Sequence, residues 1–155
     1  MGVRKQVSQL VGANRLKVMQ ATAYETIPQW SKKFRDLEVL ERDGDTVTAR
    51  LDTRVMGIPL TAWVTGIWGD DRVVEEIRLS DGTVTEETVV YTEVPEGTLV
   101  QWTGAIVRPG KWTKLLGPLM GTAFALDVKR DFRALAAHMA SLEATSNRPG
   151  VADSE

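Results

Sequence analysis

The fold is decided by a change of period within residues 97–135, which read GTLVQWTGAIVRPGKWTKLLGPLMGTAFALDVKRDFRAL. The first part alternates, with Val100 and Trp102 on one side, as in a half-buried strand. After Pro109-Gly110 the apolar residues recur at the spacing of a helix with a wide apolar face. We therefore expect a long amphipathic helix directly after a strand. Gly117-Pro118 should bend or interrupt its start, because proline removes a backbone donor.

Turn signals divide the preceding chain at a nearly even interval of about 12 residues, which is the spacing of consecutive antiparallel hairpins. They are Asp43-Gly44, Met56-Gly57, Gly69-Asp70, Asp81-Gly82, Pro95-Glu96-Gly97 and Pro109-Gly110. The clearest strand between two turns is residues 46–55, where Val47, Ala49 and Leu51 alternate with polar side chains. This alternation predicts a sheet with one apolar face and one face in water.

The region before the hairpins predicts a strand, a short helix and a second strand. Residues 3–11 form the expected first strand, Asn14 caps a helix that ends near Ala23, and residues 36–41 form the next strand. A sheet and a helix that each have one apolar face bury those faces against each other. The predicted fold class is α+β, with a curved antiparallel sheet of six to seven strands wrapped around the long C-terminal helix. The curvature should leave an internal apolar cavity.

Composition limits the class of protein. The 155 residues fit one domain, and the absence of cysteine excludes a disulfide framework, a thiol nucleophile and a cysteine zinc site. The net charge of -2, with acids and bases interspersed, does not fit a nucleic-acid binder. The polar N-terminus and the lack of a long apolar run favour a cytoplasmic protein without a transmembrane segment. We expect no cofactor, and with His138 as the only histidine we expect no metal site.

Three stretches of the sequence are similar to conserved parts of a known superfamily. They are Ala13-Asn14-Arg15-Leu16 with Ile27-Pro28-Gln29-Trp30, then Tyr91 through Gly97-Thr98-Leu99-Val100-Gln101-Trp102, then Leu115-Leu116-Gly117-Pro118-Leu119 through Asp131-Phe132-Arg133-Ala134-Leu135. In this order they resemble the START-like or SRPBCC superfamily, which has the helix-grip fold and includes polyketide cyclases and coenzyme-Q-binding proteins. The resemblance implies a ligand-binding domain over residues 1–143. Residues 144–155 are polar and are expected to form a disordered tail.

Large side chains between the predicted sheet and helix are the candidates for lining the cavity. A tryptophan ring gives wide contact area and its N–H can meet a polar ligand atom, although core packing alone would also explain such rings. Methionine suits an adaptable wall because it fills irregular gaps. The predicted ligand-binding residues are Trp30, Met56, Trp63, Tyr91, Trp102, Met120 and Phe124, with Trp30 at the mouth.

Two glutamates and a tyrosine are the candidates for chemistry in that cavity. If Val73 and Ile77 point inward, strand alternation carries Glu75 inward with them, and an inward Tyr91 does the same for Glu87. A carboxyl group that faces an apolar cavity has a raised pKa and can act as a general acid or base. The interpretation we favour is that these strands are twisted or edge-like and both glutamates are solvated, because burying an unpaired acid is costly. Tyr91 is predicted to orient a ligand through its hydroxyl group.

A basic cluster lies at the start of the predicted long helix. Arg108, Lys111 and Lys114 surround Trp112. Such a mixture can contact a membrane surface or an acidic partner. A solvated helix start, or a basic rim at the entrance of the cavity, explains the same residues and is the interpretation we favour.

Three functions are compatible with these features. The first is binding of a small apolar ligand, such as a lipid, quinone, terpenoid or polyketide, in the internal cavity. The second is an enzyme of the polyketide cyclase/dehydratase type, which would fold a reactive chain in the cavity and accelerate the reaction largely by orientation. The third is a protein-interaction module. The fold hosts all three. Because no sharp catalytic constellation is present, we predict binding of a small apolar ligand and keep the other two as alternatives. The sequence leaves the oligomeric state open.

Overall fold

The computed structural model describes residues 4–146 and contains seven strands, three α-helices and two short 3-10 turns in that range. The strands are β1 (Lys5–Val11), β2 (Glu38–Asp43), β3 (Thr46–Val55), β4 (Ile58–Trp68), β5 (Arg72–Leu79), β6 (Val84–Val94) and β7 (Gly97–Arg108). The helices are α1 (Arg15–Ala21), α2 (Lys111–Leu116) and α3 (Pro118–Ser146), and the 3-10 turns cover Ile27–Gln29 and Lys32–Phe34.

The strands form one antiparallel sheet in the order β1-β7-β6-β5-β4-β3-β2. Each strand from β2 to β6 pairs with the next strand along the chain, and β1 closes the other side by pairing with β7. The long helix α3 lies against the inner face of this curved sheet. The predicted α+β class and the arrangement of sheet and C-terminal helix are therefore confirmed.

Alternation sets the inner face of the sheet, as the sequence predicted for residues 46–55. Val47, Ala49 and Leu51 of β3 are buried, and Leu60 and Ala62 of β4 face the same side. The β3–β4 turn is tight, with positive φ values of 53° at Met56 and 79° at Gly57. Such angles match the right-handed twist of a two-residue hairpin.

The long helix is interrupted at the predicted position. Gly117 adopts a φ of 57° after α2, and α3 begins at Pro118, where the missing N–H costs nothing. Upstream, Asn14 caps α1 by accepting a hydrogen bond from the Lys17 N–H at 2.9 Å, but α1 ends at Ala21, before the predicted Ala23. The predicted strand at residues 36–41 is shifted to Glu38–Asp43, because Asp36 lies in a turn and Leu37 precedes the strand.

Two packed regions lie at the ends of α3. Leu135 and Met139 pack in a cluster with Val11 and Val100, towards the β1–β7 side. Met120 lies in a second cluster that includes Leu51, Leu60 and Leu79, against β3 to β5. The space between sheet and helix that these clusters do not fill contains the candidate site.

The C-terminal end of the chain is described only in part. Residues 144–146, which the sequence assigned to the tail, belong to the last turn of α3. The rest of the predicted tail, and the start of the first predicted strand at Val3, lie outside the described residues. Across residues 4–146, no helix combines the length and apolar character needed to span a membrane.

Candidate functional site

A cavity with a volume of about 240 Å³ lies between the inner face of β3–β7 and helix α3, with the segment after α1 on its third side. Its walls are mainly aliphatic and aromatic, and include Leu51, Val64, Ile77, Val89, Phe124 and Phe132. The polar groups that reach it are few. We call it the main cavity.

The polar centre of the main cavity is a pair of glutamates. They are the two middle members of a row of four paired residues across four neighbouring strands. Gly66 of β4 pairs with Glu75 of β5, Glu75 pairs with Glu87 of β6, and Glu87 pairs with Gly104 of β7. Directly paired residues point to the same face of a sheet, so both glutamates face inward. The structure therefore differs from the favoured interpretation that both glutamates are solvated, because both line the main cavity. We call these four residues the acid row.

Tyr24 occupies the space that Gly66 leaves. A Cβ atom at position 66 would overlap the Tyr24 hydroxyl oxygen. That hydroxyl donates a short hydrogen bond to Glu75 Oε2 on the neighbouring strand. Glycine in a strand interior often marks such a close approach. Gly66 therefore positions Tyr24 as the donor to Glu75.

Trp102 repeats this arrangement at the other end of the acid row. Its ring lies over Gly104, where any Cβ atom would overlap the ring. The indole N–H donates to Glu87 Oε1 at 2.5 Å, and the Thr85 hydroxyl donates to Glu87 Oε2 at 2.9 Å. Both carboxylate oxygens of Glu87 are thus held by protein donors.

Burial changes the protonation of both acids. Burial raises the pKa of Glu75 to about 7, and the facing charge of Glu87 adds to this, while the hydrogen bond from Tyr24 opposes it. Burial also raises the pKa of Glu87, and its bonds from Trp102 and Thr85 act in the opposite direction. Glu75 is therefore a group that can hold or release a proton near neutral pH.

Two tyrosine hydroxyl groups stay neutral in this cavity. Burial raises the pKa of Tyr24 and of Tyr91 above the ordinary value of a tyrosine, so neither ionises at physiological pH. The Tyr91 and Thr22 hydroxyl groups share a hydrogen bond of 2.8 Å. Tyr91 is in this way fixed to the segment that follows α1.

One side of the main cavity is closed by contacts between α3 and the segment after α1. Lys33 Nζ lies 3.1 Å from Asp131 Oδ2, and burial raises the pKa of Asp131 to about 6. Trp30 donates its indole N–H to the Ala21 carbonyl oxygen at 2.9 Å and stacks on His138 with ring centres 5.4 Å apart. His138 is thus a packing partner of Trp30.

Six of the nine predicted site residues line the main cavity. They are Trp30, Glu75, Glu87, Tyr91, Trp102 and Phe124. Their position is compatible with the predicted roles, which stay predictions.

Three predicted lining residues lie elsewhere. Trp63 is 40% exposed on the outer face of the sheet, because it alternates with the buried Ala62 and Val64. Met56 is 52% exposed because it occupies the β3–β4 turn. Met120 is fully buried, but it packs in the cluster beside β3–β5 rather than on the cavity wall.

Sequence reasoning missed Tyr24 and the two glycines of the acid row. Tyr24 follows a short helix in a segment without periodicity, so no pattern assigns its direction. Gly66 and Gly104 interrupt otherwise β-favouring segments, and such isolated glycines were the available signal for a close approach.

Comparison with solved structures identifies the fold. The Thermus thermophilus protein TTHA0849 is 22% identical and superposes with a TM-score of 0.72 over 92% of this chain and 99% of its own. A START superfamily protein from Mycobacterium smegmatis is 19% identical, with a TM-score of 0.57 over 86% of this chain and 98% of its own. The chain has the START-like helix-grip fold.

A third match covers part of a larger protein. The di-domain ARO/CYC BexL from the BE-7585A biosynthetic pathway is 15% identical, with a TM-score of 0.73 over 89% of this chain and 50% of its own. No protein-family model and no curated protein matches the chain. At these identities the comparisons establish the helix-grip fold alone. Ligand binding between sheet and helix is consistent with that fold.

Proposed function

We propose that this chain binds a small, largely apolar ligand in the main cavity and holds one hydroxyl or carbonyl oxygen of that ligand at Glu75. The observation that carries the proposal is the combination of apolar walls with the carboxyl group of Glu75, which faces the main cavity and whose pKa is raised to about 7. Pockets that bind small molecules are mostly apolar, with a few placed polar groups that fix orientation. The location in the cytoplasm stays a prediction.

Glu75 is the better anchor for a ligand because its hydrogen-bonding capacity is not exhausted. Tyr24 donates to only one of its oxygens, whereas both oxygens of Glu87 have protein donors. A protonated Glu75 can donate to a carbonyl oxygen, and an ionised Glu75 can accept from a hydroxyl group. Lipids, quinones, terpenoids and polyketides all supply one of these groups on an apolar body.

The binding test uses a neutral fluorescent probe, N-phenyl-1-naphthylamine, whose emission rises in apolar surroundings. Val89→Phe fills the main cavity from β6, and Val74→Phe adds the same ring to the outer face of β5, where Val74 is exposed. We expect saturable binding by the wild type and by Val74→Phe, and a loss of at least about tenfold in Val89→Phe.

A second filling variant protects this test against misfolding. Thr53→Phe enters the main cavity from β3, where Thr53 is only half-buried, so a larger ring is accommodated more easily than at Val89. Circular dichroism reports the fold of each variant. Absence of saturable binding in the wild type, or equal binding in inner-face and outer-face variants, would show that the main cavity is not a ligand site.

A second candidate function is an enzyme of the polyketide cyclase/dehydratase type, supported by the pKa of Glu75 near 7 and by the likeness to BexL, which is described as an ARO/CYC protein. Glu75 would transfer the proton, with the Tyr24 hydroxyl group donating to it, and the Tyr91 hydroxyl oxygen would accept a hydrogen bond from a hydroxyl group of the substrate. The test is turnover of a poly-β-keto thioester by Glu75→Gln, Glu87→Gln and Tyr91→Phe. Full activity in all three variants would exclude proton transfer by these residues.

A further inference from the structure

A second cavity adjoins the main cavity where β6, β7 and β1 meet the junction of α2 and α3. Its volume is about 370 Å³, and its walls include Ile106, Pro109, Gly117, Pro118 and Gly121. Four residues border both cavities: Thr85, Glu87, Trp102 and Phe124. The Trp102–Glu87 hydrogen bond thus lies at the boundary between the two spaces. We call the second space the side cavity.

Lys5 extends the acid row into the side cavity. It pairs directly with Gly104 across β1 and β7, and it lies on the same, inner face of the sheet as Val7 and Val11. Its stem crosses towards α3, where a Cβ atom at Gly121 would stand 3.8 Å from Lys5 Cε. Even an added Cβ atom would be at ordinary contact distance there, so the lysine stem lies alongside the helix at Gly121.

The charge of Lys5 has no protein counter-ion among residues 4–146. Within that range no salt bridge or side-chain hydrogen bond involves it, whereas Lys33 of the main cavity is paired with Asp131. Glu87 is the acid that borders the side cavity, and it lies two strands from Lys5. At a strand spacing of about 4.8 Å this is about 10 Å between backbones. The two carboxylate oxygens of Glu87 accept hydrogen bonds from Trp102 and Thr85.

We propose that the side cavity binds the anionic end of an elongated apolar ligand, with a carboxylate on the Lys5 ammonium group and the apolar body directed past Trp102 to the main cavity. This rests on the proposed function for the placement of the body. The ligand class becomes a long monocarboxylic acid rather than a neutral lipid.

Two physical arguments support the carboxylate. Lys5 is half-buried at the wall of a mainly apolar cavity. Its ammonium group gains most from a charged acceptor, because charge-assisted hydrogen bonds are about twice as strong as neutral ones. General attraction of anions is not the cause, since the whole chain carries a net charge of -2. The selectivity for an anion is therefore local to Lys5.

The test compares decanoate with decanol, which share the chain length and differ in charge, by displacement of the neutral probe at pH 7.5. We expect decanoate to bind the wild type at least about tenfold more tightly. Lys5→Met should abolish this preference without weakening decanol, and Lys5→Arg should restore most of it. Lys114→Met, which removes an exposed lysine that borders neither cavity, is the matched control.

A second variant tests the space rather than the charge. Gly121→Leu puts a side chain into the side cavity from α3. The nearest atom to the added Cβ, Lys5 Cε, would lie at ordinary contact distance, and leucine has a higher helix propensity than glycine. This variant should bind the neutral probe as the wild type does and should lose the preference for decanoate.

The two proposals fail in different ways. Equal affinities for decanoate and decanol, or a preference that survives Lys5→Met, would overturn the side-cavity proposal while probe binding still supports the main cavity. Failure of the wild type to bind the neutral probe would overturn the proposed function. In that case direct calorimetry with decanoate decides whether Lys5 binds a carboxylate alone, and no heat would overturn the second proposal as well.

Discussion

In both halves of the acid row a glycine makes room for an aromatic side chain that donates to a glutamate, but the two glutamates have different numbers of donors. In one half Gly66 makes room for Tyr24, which donates to Glu75, and in the other Gly104 makes room for Trp102, which donates to Glu87. Tyr24 comes from the segment after α1, outside the sheet, whereas the donors to Glu87 come from the sheet itself. Glu87 has two donors, and Glu75 has one.

This difference separates a structural acid from a chemically available one. Donors on both oxygens favour the charged form of Glu87 and fix its position, although burial still raises its pKa. Glu75, with one donor and a charged neighbour, has a pKa of about 7. Ligand chemistry should therefore take place at the Tyr24 half, while the Trp102 half holds the sheet and the boundary between the two cavities.

The largest expected effect is the response of stability to pH at Glu75. Its pKa in the folded state is raised from 4.5 to about 7, so the folded state binds more protons than the unfolded state between these values. The free energy of unfolding should fall as pH rises through this window, by up to about 3 kcal/mol from this group. Glu75→Gln, which resembles the protonated acid, should therefore stabilise the protein at pH 8 and have little effect at pH 4.

Urea unfolding at pH 4, 6 and 8 measures this effect. The comparison variant is Glu87→Gln, which should destabilise at pH 8 because an amide offers one acceptor oxygen to the two donors Trp102 and Thr85. If the free energies of unfolding of both variants change with pH in the same way, Glu75 and Glu87 do not have the different roles assigned to them.

The second prediction concerns the two glycines. Gly104→Ala should destabilise by about 2–3 kcal/mol, because the added Cβ overlaps the buried Trp102 ring. Gly66→Ala should cost less, about 1–2 kcal/mol, since the overlap is with the far end of the Tyr24 side chain. Thermal unfolding of both variants gives the ratio, and a larger loss in Gly66→Ala would contradict the assignment of the structural half to Trp102.

The smallest expected effect is that of the Tyr24 hydroxyl group alone. Tyr24→Phe removes the donor from Glu75, and a hydrogen bond to a charged carboxylate is stronger than one to a neutral acid. The loss of stability should be about 1 kcal/mol larger at pH 8 than at pH 5, and the pKa of Glu75 should rise. Carbon-13 NMR of the labelled glutamate carboxyl groups reports that pKa directly, and an unchanged value would mean that the bond does not influence Glu75.

Local patterns predicted the sheet and the long helix because both have strong periods. The alternation in β3 and the break at Gly117-Pro118 are properties of neighbouring residues, so the sequence displays them directly. The inward direction of Glu75 and Glu87 followed from the same alternation, as one of two open interpretations. The prediction for Trp63 was wrong because its ring lies on the outer face of the sheet, in alternation with the buried Ala62 and Val64.

The donors of the acid row could not be predicted in this way. The Tyr24–Glu75 bond joins residues 51 positions apart, and Trp102–Glu87 depends on the register of β6 and β7. Register is a property of pairing between strands, which a single strand's pattern does not contain. The position of Lys5 could not be predicted for the same reason, since its place beside Gly104 depends on the pairing of the first and last strands.

The glycine beneath Tyr24 has a consequence for how sequences of this fold diverge. Since the Tyr24 hydroxyl occupies the volume above Gly66 and satisfies Glu75, positions 24, 66 and 75 form one unit of selection although they are far apart in the chain. A larger residue at position 66 is acceptable only together with a shorter one at position 24, and an apolar residue at 75 removes the need for both. Relatives that keep this chemistry should therefore inherit the three residues together, and relatives with another chemistry should lose them together.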